Sequence, residues 1–386
     1  MIDTDTLISL GGKTVLQLTG ASLSQTAFAC QGLIDYVLLV SDGARRVGIR
    51  QVAAAAGVSV TTVSHALNGK GRLPQETRDR VHAVAQELGY RPNATARNLA
   101  GGKTGLLGLV ISQPADIRFA LSDFAYFTYL TAAASTAALD RGYALVLTPS
   151  DIGLGAAVGV AVDGAIVVDP VEGDPLVQEL RDASMPLVTT GRVVGDDPGC
   201  AWVDNDHVAG TRSALDHLGR RNARRIALLT TPTVISYSVD VERAYREWCA
   251  DHGMEPLVSK TDQQLTESAG YTAASELLRL PDPPDAIFAS YDRLAYGALL
   301  AANARDVAVP DELMVVMTAT ESSHGQSSGP SVTALDLHPN QIGQRAVELL
   351  IDVVEERAEG GEVLVPTTII PRASTKRPAT GRGKRA

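Results

Sequence analysis

Residue types suited to nucleic-acid recognition stand at a helical spacing near the start of this 386-residue chain. Small and apolar residues recur from Val52 to Leu67 so that two short helices can cross closely, and Gly57 between them permits a sharp turn. Ser59 stands where the second helix needs an N-cap, and the free N–H groups at that helix start then face outward, ready for a phosphate. The spacing is that of a helix-turn-helix. Its second helix exposes Val60, Thr61, Ser64 and His65.

Three short helices are expected to hold these side chains in place. Helical periodicity covers residues 49–56, 60–68 and 75–88, and Pro74 is suited to open the third helix. The face of the third helix that packs on the other two carries Val81, Val84, Ala85 and Leu88. The segment is therefore predicted to form a small all-α module.

A much longer segment, residues 106–371, alternates apolar runs with amphipathic helical stretches. The apolar runs fall at 106–111, 144–147, 164–168, 187–190, 226–229, 286–289 and 313–316. The helical patterns fall at 127–141, 208–218, 242–252, 270–278 and 294–304. Apolar strands separated by helices are typical of parallel sheets that are covered on both faces. The segment is too long for one sheet of usual size, so we expect two α/β lobes with a ligand-binding cleft between them.

Charge is distributed unevenly along the chain. The net charge is −10, which taken alone argues against a nucleic-acid partner. Residues 45–105 nevertheless carry +7 and residues 372–386 carry +6, whereas residues 106–371 carry −20. This partition indicates a basic module, an acidic body and a basic tail, and the composition of the tail is typical of disorder.

Several classes of protein find no support in the sequence. Three scattered cysteines do not make a disulfide framework or a zinc cluster, and they favour a reducing, cytoplasmic location. No run of 18 apolar residues predicts a membrane span, and the acidic start of the chain does not predict a secretory signal. We find no phosphate-binding loop, no nucleophile elbow and no metal-ligand spacing, so we expect no catalytic residues, no metal and no cofactor.

The segment from Ile49 to Ile111 resembles the LacI/GalR family of transcriptional regulators. It reads IRQVAAAAGVSVTTVSHALNGKGRLPQETRDRVHAVAQELGYRPNATARNLAGGKTGLLGLVI, and looser similarity continues to about residue 371 in DGAIVV (163–168), WVDNDHVAG (202–210), GYTAASELL (270–278) and YDRLAYGAL (291–299). The resemblance implies a helix-turn-helix headpiece, a hinge helix and a two-lobed α/β domain like the type I periplasmic binding proteins. The expected boundaries are 1–46 for a poorly defined extension, 47–92 for the headpiece, 93–105 for the hinge and linker, 106–371 for the effector-binding and dimerisation domain, and 372–386 for the tail.

The resemblance implies a dimeric repressor, with a double-stranded DNA operator and a small-molecule effector as partners. The second helix of each headpiece would enter the major groove of a near-palindromic operator. Thr61 and His65 would read bases, Val60 would make an apolar contact, and Ser64 lies on the same face. Phosphate contacts are assigned to Ser59, Thr62, Asn68 and Arg72.

The hinge helix is expected within residues 93–100, where Asn93, Ala96 and Leu99 match the family. Small side chains allow close approach to a partner helix, and Leu99 matches the residue that wedges between base pairs in the minor groove. The alternative for Leu99 is ordinary packing on a linker.

The effector site is assigned first to Asp292, which matches a family aspartate that accepts hydrogen bonds from ligand hydroxyls. The alternative is a helix-capping carboxylate. Two features depart from the family: Met317–Thr320 replaces a glycine–aromatic–aspartate run, and the usual arginine falls at Val239. A sugar, another metabolite or a corepressor all remain open as the effector. The other side chains assigned to the cleft are Phe124, Tyr126, Arg192, Tyr237 and Thr318, whereas His207 and His217 are expected at the surface.

Two other functions remain as alternatives. An enzyme built on two α/β lobes is one, although no catalytic motif marks it. A stand-alone sugar receptor is the other, and it would have no use for residues 48–99. The basic module discriminates between these alternatives and a DNA-binding regulator.

Overall fold

The computed structural model describes residues 47–67, 71–90, 103–112, 125–148, 161–195, 199–261, 265–320, 329–358 and 360–376, together with a short strand pair near the start of the chain. The chain forms two compact units, residues 1–93 and 94–386. The strand pair is antiparallel and consists of β1 (Ser9–Leu10) and β2 (Lys13–Thr14).

The other described residues of the first unit form three helices: α1 (Ile49–Ala56), α2 (Val60–Leu67) and α3 (Gln75–Glu87). Gly57 ends α1 with a positive φ of 65°, a conformation in which glycine has no steric cost, and the chain turns there into α2. The buried core consists of Val52, Ala53, Ala56, Val63, Ala66, Val81 and Ala85. The predicted three-helix module is confirmed, except that Leu88 follows the end of α3 and is exposed.

The second unit begins with a six-stranded sheet in which every pairing is parallel. Its strand order is β13-β7-β6-β5-β3-β4. The strands are β3 (Leu106–Ile111), β4 (Ala144–Thr148), β5 (Gly164–Val168), β6 (Leu187–Thr190), β7 (Ala201–Asn205) and β13 (Glu362–Val365). The helices packed on it are α4 (Ala125–Asp140), α5 (Pro175–Asp182) and α10 (Pro339–Val354). We call this sheet and its helices the first lobe.

A second six-stranded sheet has the order β14-β12-β11-β10-β8-β9, and β14 is its antiparallel edge strand. The strands are β8 (Ile226–Thr230), β9 (Leu257–Lys260), β10 (Ala286–Ala289), β11 (Met314–Ala319), β12 (Thr333–Asp336) and β14 (Thr368–Ile370). Its helices are α6 (His207–Gly219), α7 (Ser236–Asp251), α8 (Glu267–Leu277) and α9 (Asp292–Asn303). We call this sheet and its helices the second lobe.

Successive residues of the strands in the second lobe pack on opposite faces of the sheet, and helices cover both faces. In β8, Leu228 packs with α6 and α7 on one face, whereas Ala227 and Leu229 pack with α8 and α9 on the other. Successive side chains of a strand point to opposite faces, so a fully apolar strand requires helices on both sides. The predicted two-lobed α/β architecture is therefore confirmed.

Two histidine predictions are wrong. His207, the first residue of α6, is 5% exposed, and His217 near the end of the same helix is 2% exposed. Each ring is buried because it has a polar partner: the Nε2 of His207 lies 2.7 Å from Asp204, and the Nε2 of His217 lies 2.8 Å from Thr375.

Candidate nucleic-acid interface and ligand cavity

Helix α2 separates its side chains into a buried and an open face. Val63 and Ala66 are buried in the core of the first unit. Val60 is 41% exposed, Thr61 and His65 are also exposed, and Ser64 is half-buried. The four side chains assigned to the major groove thus lie on the open side of a helix whose other side is fixed by packing.

The start of α2 has the cap that the sequence predicts. The Ser59 hydroxyl accepts a hydrogen bond of 3.1 Å from the amide of Thr62, and the two hydroxyls lie 2.9 Å apart. A capped helix start carries a partial positive charge that favours a phosphate. Ser59 and Thr62, both assigned to phosphate contacts, therefore lie next to each other at the start of α2.

Arg72, the third described residue assigned to a phosphate, is exposed beside Gly71. Gly71 has a φ of 75°, and a Cβ built there would lie 2.8 Å from Nδ1 of His65. The absence of a side chain at this position therefore makes room for the His65 ring. Asn68, Asn93, Ala96 and Leu99 lie outside the described residues.

The second unit contains a cavity of about 650 Å³, including its open mouth. It lies where the carboxyl ends of strands from both sheets meet α4, α6, α7 and α9, and a crevice at the carboxyl ends of parallel strands is a usual ligand site. The lining residues are Ala125, Tyr126, Phe127, Asp169, Asp204, His207, Ile235, Tyr237, Ser290, Tyr291, Asp292, Thr318, Ala319, Thr320 and Leu337.

Asp204 in β7 and His207 at the start of α6 form a buried polar pair in the lining of the cavity. Asp204 Oδ1 lies 2.7 Å from the histidine Nε2, and the Arg192 amide donates to Oδ2 at 3.2 Å. Burial by itself raises the pKa of Asp204, but His207 and the donors from Ser236 and Arg192 hold it below its usual value. Asp204 is therefore ionised at neutral pH.

Asp169 follows β5 directly and lines the same cavity. Burial, followed by repulsion from Asp204, raises the pKa of Asp169 to about 7, and His207 opposes this rise. Near neutral pH, Asp204 is therefore ionised, whereas Asp169 is present in both its charged and its neutral form.

Aromatic rings line the cavity beside this pair. Tyr237 makes edge-on contacts with His207 at 4.9 Å and with Tyr291 at 5.5 Å between ring centroids. The Tyr237 hydroxyl donates to the carbonyl of Ser290. Burial is the main cause that raises the pKa values of Tyr126, Tyr237 and Tyr291, so all three phenols are neutral.

Asp292 is the first residue of α9, and its carboxylate lines the cavity. Oδ1 accepts a hydrogen bond of 2.7 Å from the amide of Arg293, and burial raises the pKa of the carboxyl group. The N-cap of α9 is Tyr291, so Asp292 bonds an amide of the first turn without capping the helix, and it also lines the cavity.

The structure brings together four of the side chains assigned to the cleft: Asp292, Tyr237, Thr318 and Tyr126. Arg192 is not among the lining residues, because its guanidinium pairs with Asp204 and Asp240. Phe124 lies outside the described residues. Sequence reasoning missed Asp169, Asp204 and His207, although Asp169 and Asp204 stand at the carboxyl ends of apolar strands, where a ligand site is expected.

Among the described residues, no helix is long and apolar enough to cross a membrane, and no group of three His, Cys, Asp or Glu side chains is arranged to hold a metal ion.

Comparison with known proteins assigns both units. A family model described as bacterial regulatory proteins of the lacI family matches residues 48–93, and one described as a periplasmic binding protein-like domain matches residues 215–375. The transcriptional regulator CelR of Thermobifida fusca is 32% identical over 342 residues, which cover 86% of this chain and 98% of CelR. The regulator RafR of Escherichia coli is 33% identical over 264 residues, which cover 67% of this chain and 76% of RafR.

Solved structures show the same architecture. A complex of the transcriptional regulator CelR with cellobiose has a TM-score of 0.63 at 30% identity, and the match covers 85% of this chain and 100% of that one. A lac repressor dimer bound to operator and an anti-inducer has a TM-score of 0.67 at 23% identity, with 85% and 99% covered, and supports the fold alone.

A helix-turn-helix unit followed by a two-lobed α/β unit with a ligand cavity defines a ligand-responsive DNA-binding protein. The chain belongs to the LacI family, and it is a DNA-binding transcriptional regulator. The expectation that it is a regulator and not an enzyme is confirmed by this membership.

Proposed function

We propose that the protein is a dimeric cytoplasmic repressor that binds a near-palindromic operator and changes its affinity for that operator when a small molecule occupies the cavity. The open face of α2 carries this proposal. A helix that is fixed by a buried face, capped at its start and open along Val60, Thr61 and His65 has the form required to enter a major groove.

Each group of DNA-facing residues has a separate role in the proposal. Thr61 and His65 read base edges, Val60 contacts a thymine methyl group, and Ser64 lies on the same face. The phosphate contacts that set the register of the headpiece belong to Ser59, Thr62, Asn68 and Arg72. The hinge, residues 93–105 with Asn93, Ala96 and Leu99, enters the minor groove between the two headpieces.

The cavity is the proposed effector site, and its lining and its place in the fold support this role. It combines buried aromatic rings with a few convergent polar groups, as small-molecule sites do. Asp292, Tyr237, Thr318 and Tyr126 are proposed to contact the effector directly, with Phe124 beside them, and Arg192 is proposed to act through Asp204. The structure of CelR with cellobiose supports an effector of sugar size.

Selection from random double-stranded DNA with the full chain tests the operator proposal. We expect enrichment of a two-fold symmetric sequence, because two identical headpieces read two half-sites. Replacing Leu99 with Ala should relax the centre of that sequence and leave its flanks unchanged. Enrichment of no sequence at all, with binding that merely falls as salt rises, would contradict the proposal.

Binding to the selected duplex, measured with and without a candidate compound, shows whether the effector is an inducer or a corepressor. Release of the protein by a compound that binds the cavity identifies an inducer, whereas tighter binding identifies a corepressor.

A further inference from the structure

The carboxylate of Asp163 holds the chain where it enters the first lobe, at residues 103–105, which we call the entry segment. Asp163 directly precedes β5, and the entry segment directly precedes β3. Oδ1 accepts hydrogen bonds from the amide of Thr104 at 2.7 Å and from its hydroxyl at 2.9 Å, and Oδ2 accepts one from the amide of Gly105 at 2.7 Å. The amide of Asp163 donates in turn to the Leu106 carbonyl at 2.8 Å. One residue thus bonds three successive residues of the incoming chain.

The backbone of the entry segment is shaped to receive a carboxylate. Thr104 and Gly105 present consecutive amide N–H groups to the same side chain, and such pairs of amides bind anions. Gly105 is buried and has a φ of 76°, a conformation that glycine adopts without steric cost. Hydrogen bonds to an ionised acceptor are stronger than those between neutral groups. The contact is therefore a firm attachment of the entry segment to the start of β5.

The end of α10 holds the same segment. The Lys103 ammonium group donates to the carbonyl of Val354, the last residue of α10, at 3.3 Å, and a cation at the end of a helix is favoured by the helix dipole. Val354 also packs on Gly164, the residue after Asp163, where a Cβ would lie 2.8 Å from its Cγ2. The entry segment is thus attached both to β5 and to the helix that packs on the start of β5.

The entry segment is also the end of the proposed hinge, residues 93–105. Leu99 precedes Thr104 by five residues. Because an extended chain spans at most about 3.6 Å per residue, the Cα atoms of these two residues lie within about 18 Å of each other. The position at which Asp163 fixes Thr104 therefore limits where Leu99 can meet DNA. Asp163 is not among the residues that line the cavity.

We propose that Asp163 is a positioning residue for operator binding: its carboxylate fixes the entry segment so that the hinge presents Leu99 to the centre of the operator. This inference rests on the proposed function and deepens it, because it assigns a residue of the first lobe to the reading of the operator centre. A contact that merely stabilised the first lobe would lower the unfolding temperature and leave the operator preferences unchanged.

Asp163→Asn in the full chain tests the proposal. The variant keeps one acceptor oxygen but turns a donor group toward the Gly105 amide, which is itself a donor. We expect about tenfold weaker binding to the selected duplex, since a smaller fraction of the protein holds the hinge in place. Discrimination at the central base pairs should fall as it does in Leu99→Ala, and the preferences at the flanks should remain. Loss of a negative charge by itself would strengthen DNA binding, so the direction of the change separates positioning from charge.

Asp174→Asn is the matched control in the same lobe. Asp174 is buried, and its carboxylate accepts a hydrogen bond of 2.9 Å from the amide of Leu176 at the start of α5. The control removes the same charge and a similar contact between a carboxylate and the backbone, but it does not touch the entry segment. Its operator preferences should equal those of the parent chain, whatever its unfolding temperature.

Thr104→Val is a milder variant that decides the matter if Asp163→Asn does not fold. It removes the hydroxyl that donates to Asp163 and keeps the charge and both backbone amides. We expect a loss of the same kind at the operator centre, of about threefold, because one hydrogen bond contributes less than the whole contact.

Three results would overturn the proposal. The first is a folded Asp163→Asn that discriminates the central base pairs as the parent chain does. The second is an equal loss in Asp174→Asn, which would show that any weakening of the first lobe has this effect. The third is a Thr104→Val that behaves as the parent chain where Asp163→Asn does not fold. All three leave the operator proposal intact, whereas a parent chain that selects no duplex overturns the proposed function and this inference with it.

Discussion

Among the side chains proposed to read bases, His65 has the best-defined surroundings. It lies on the open face of α2, and Gly71 leaves room for its ring. His65→Ala should cost about 1–3 kcal/mol of discrimination at one base pair of each half-site, because a side-chain contact to a base edge contributes that much. Titration of labelled operators that differ at single positions measures this loss.

An exposed histidine of the same unit provides the control. His82 lies on α3 and is also exposed. His82→Ala should leave the order of operator preferences unchanged. If the two variants change the preferences alike, His65 does not read a base.

His217 illustrates how burial changes the behaviour of a single side chain. Its Nε2 pairs with Thr375, and its Nδ1 lies 3.2 Å from the Arg221 guanidinium. Burial first, and then the charges of Arg221 and Arg220, lower the pKa of His217 to about 4. The histidine is therefore neutral in the folded state at pH values where the unfolded chain already binds a proton.

This shift predicts a loss of stability in mild acid. Between the unfolded pKa of about 6.5 and the folded value, the unfolded state takes up a proton that the folded state does not, so the free energy of unfolding falls as the pH falls. We expect the unfolding temperature of His217→Gln to depend less on pH from 6.5 to 4.5 than that of the parent chain. Equal slopes for the two proteins would show that His217 titrates normally.

The cavity shows which residue roles the sequence can predict. Asp292 is assigned from its position in the family pattern and Tyr237 as a side chain expected in the cleft, and both line the cavity. The expectation that His207 lies at the surface is wrong, although its partner Asp204 is only three residues earlier, in β7. The helical pattern of α6 does not show that the first residue of the helix is buried against that strand.

Helices α8 and α9 are packed so closely that two glycines are required between them. A Cβ at Gly297 would lie 2.2 Å from the carbonyl oxygen of Glu267, and one at Gly270 would lie 2.6 Å from that of Leu294. Backbone atoms cannot move aside as the end of a side chain can. The contact therefore fixes the distance between the two helices.

Gly297→Ala should lower the free energy of unfolding by about 1–3 kcal/mol because the added methyl group overpacks this contact. Gly219→Ala in α6 is the control, since its Cβ would lie an acceptable 3.4 Å from the Trp248 ring and alanine favours a helix. Thermal unfolding compares the two variants. A stable Gly297→Ala protein would mean that the helices can separate at little cost.

Elements buried on both faces were predicted best. Strands β3, β5 and β10 begin and end where their apolar runs do, because a fully covered strand must be apolar throughout. Strands β12, β13 and β14 gave no such signal, since they are short and two of them lie at sheet edges. Helix α7 begins at Ser236 rather than at residue 242, because its first turn faces the cavity and the core and lacks an amphipathic pattern.

At the scale of the whole second unit, Arg192 connects the two lobes. It follows β6 of the first lobe, and its guanidinium pairs with Asp204 of the same lobe and with Asp240 on α7 of the second lobe. Both carboxylates are largely buried, at 5% and 8% side-chain exposure, whereas the arginine is 37% exposed. Removing the arginine would leave two buried charges with one fewer partner each.

Arg192→Met should lower the free energy of unfolding by about 1–2 kcal/mol, less than for a fully buried pair because the arginine is partly solvated. Arg212→Met is a matched control: Arg212 also bridges two carboxylates and is 38% exposed, but its partners Glu247 and Asp251 lie at the surface. The control should lower the free energy of unfolding by less than Arg192→Met does, because all three of its charges are solvated. Equal losses of unfolding free energy in the two variants would show that the ion pairs between the lobes contribute no more stability than exposed ones.

The charge partition gives the molecule an orientation toward DNA. The basic segment of residues 45–105 attracts phosphates, and the acidic body of residues 106–371 is repelled by them. The overall two-unit plan was predictable from the sequence because composition and periodicity change sharply between these segments. The identity of the effector was not, because it depends on a few side chains brought together from both lobes.

The ratio of two dissociation constants tests the central claim most directly. The full chain is titrated into its selected duplex and into a scrambled duplex of the same length and composition, at one physiological salt concentration. Sequence-specific regulators bind their sites about 10³-fold or more tightly than other DNA, and we predict a ratio in that range. A ratio near one, with both affinities falling equally as salt rises, would contradict the conclusion that α2 reads an operator.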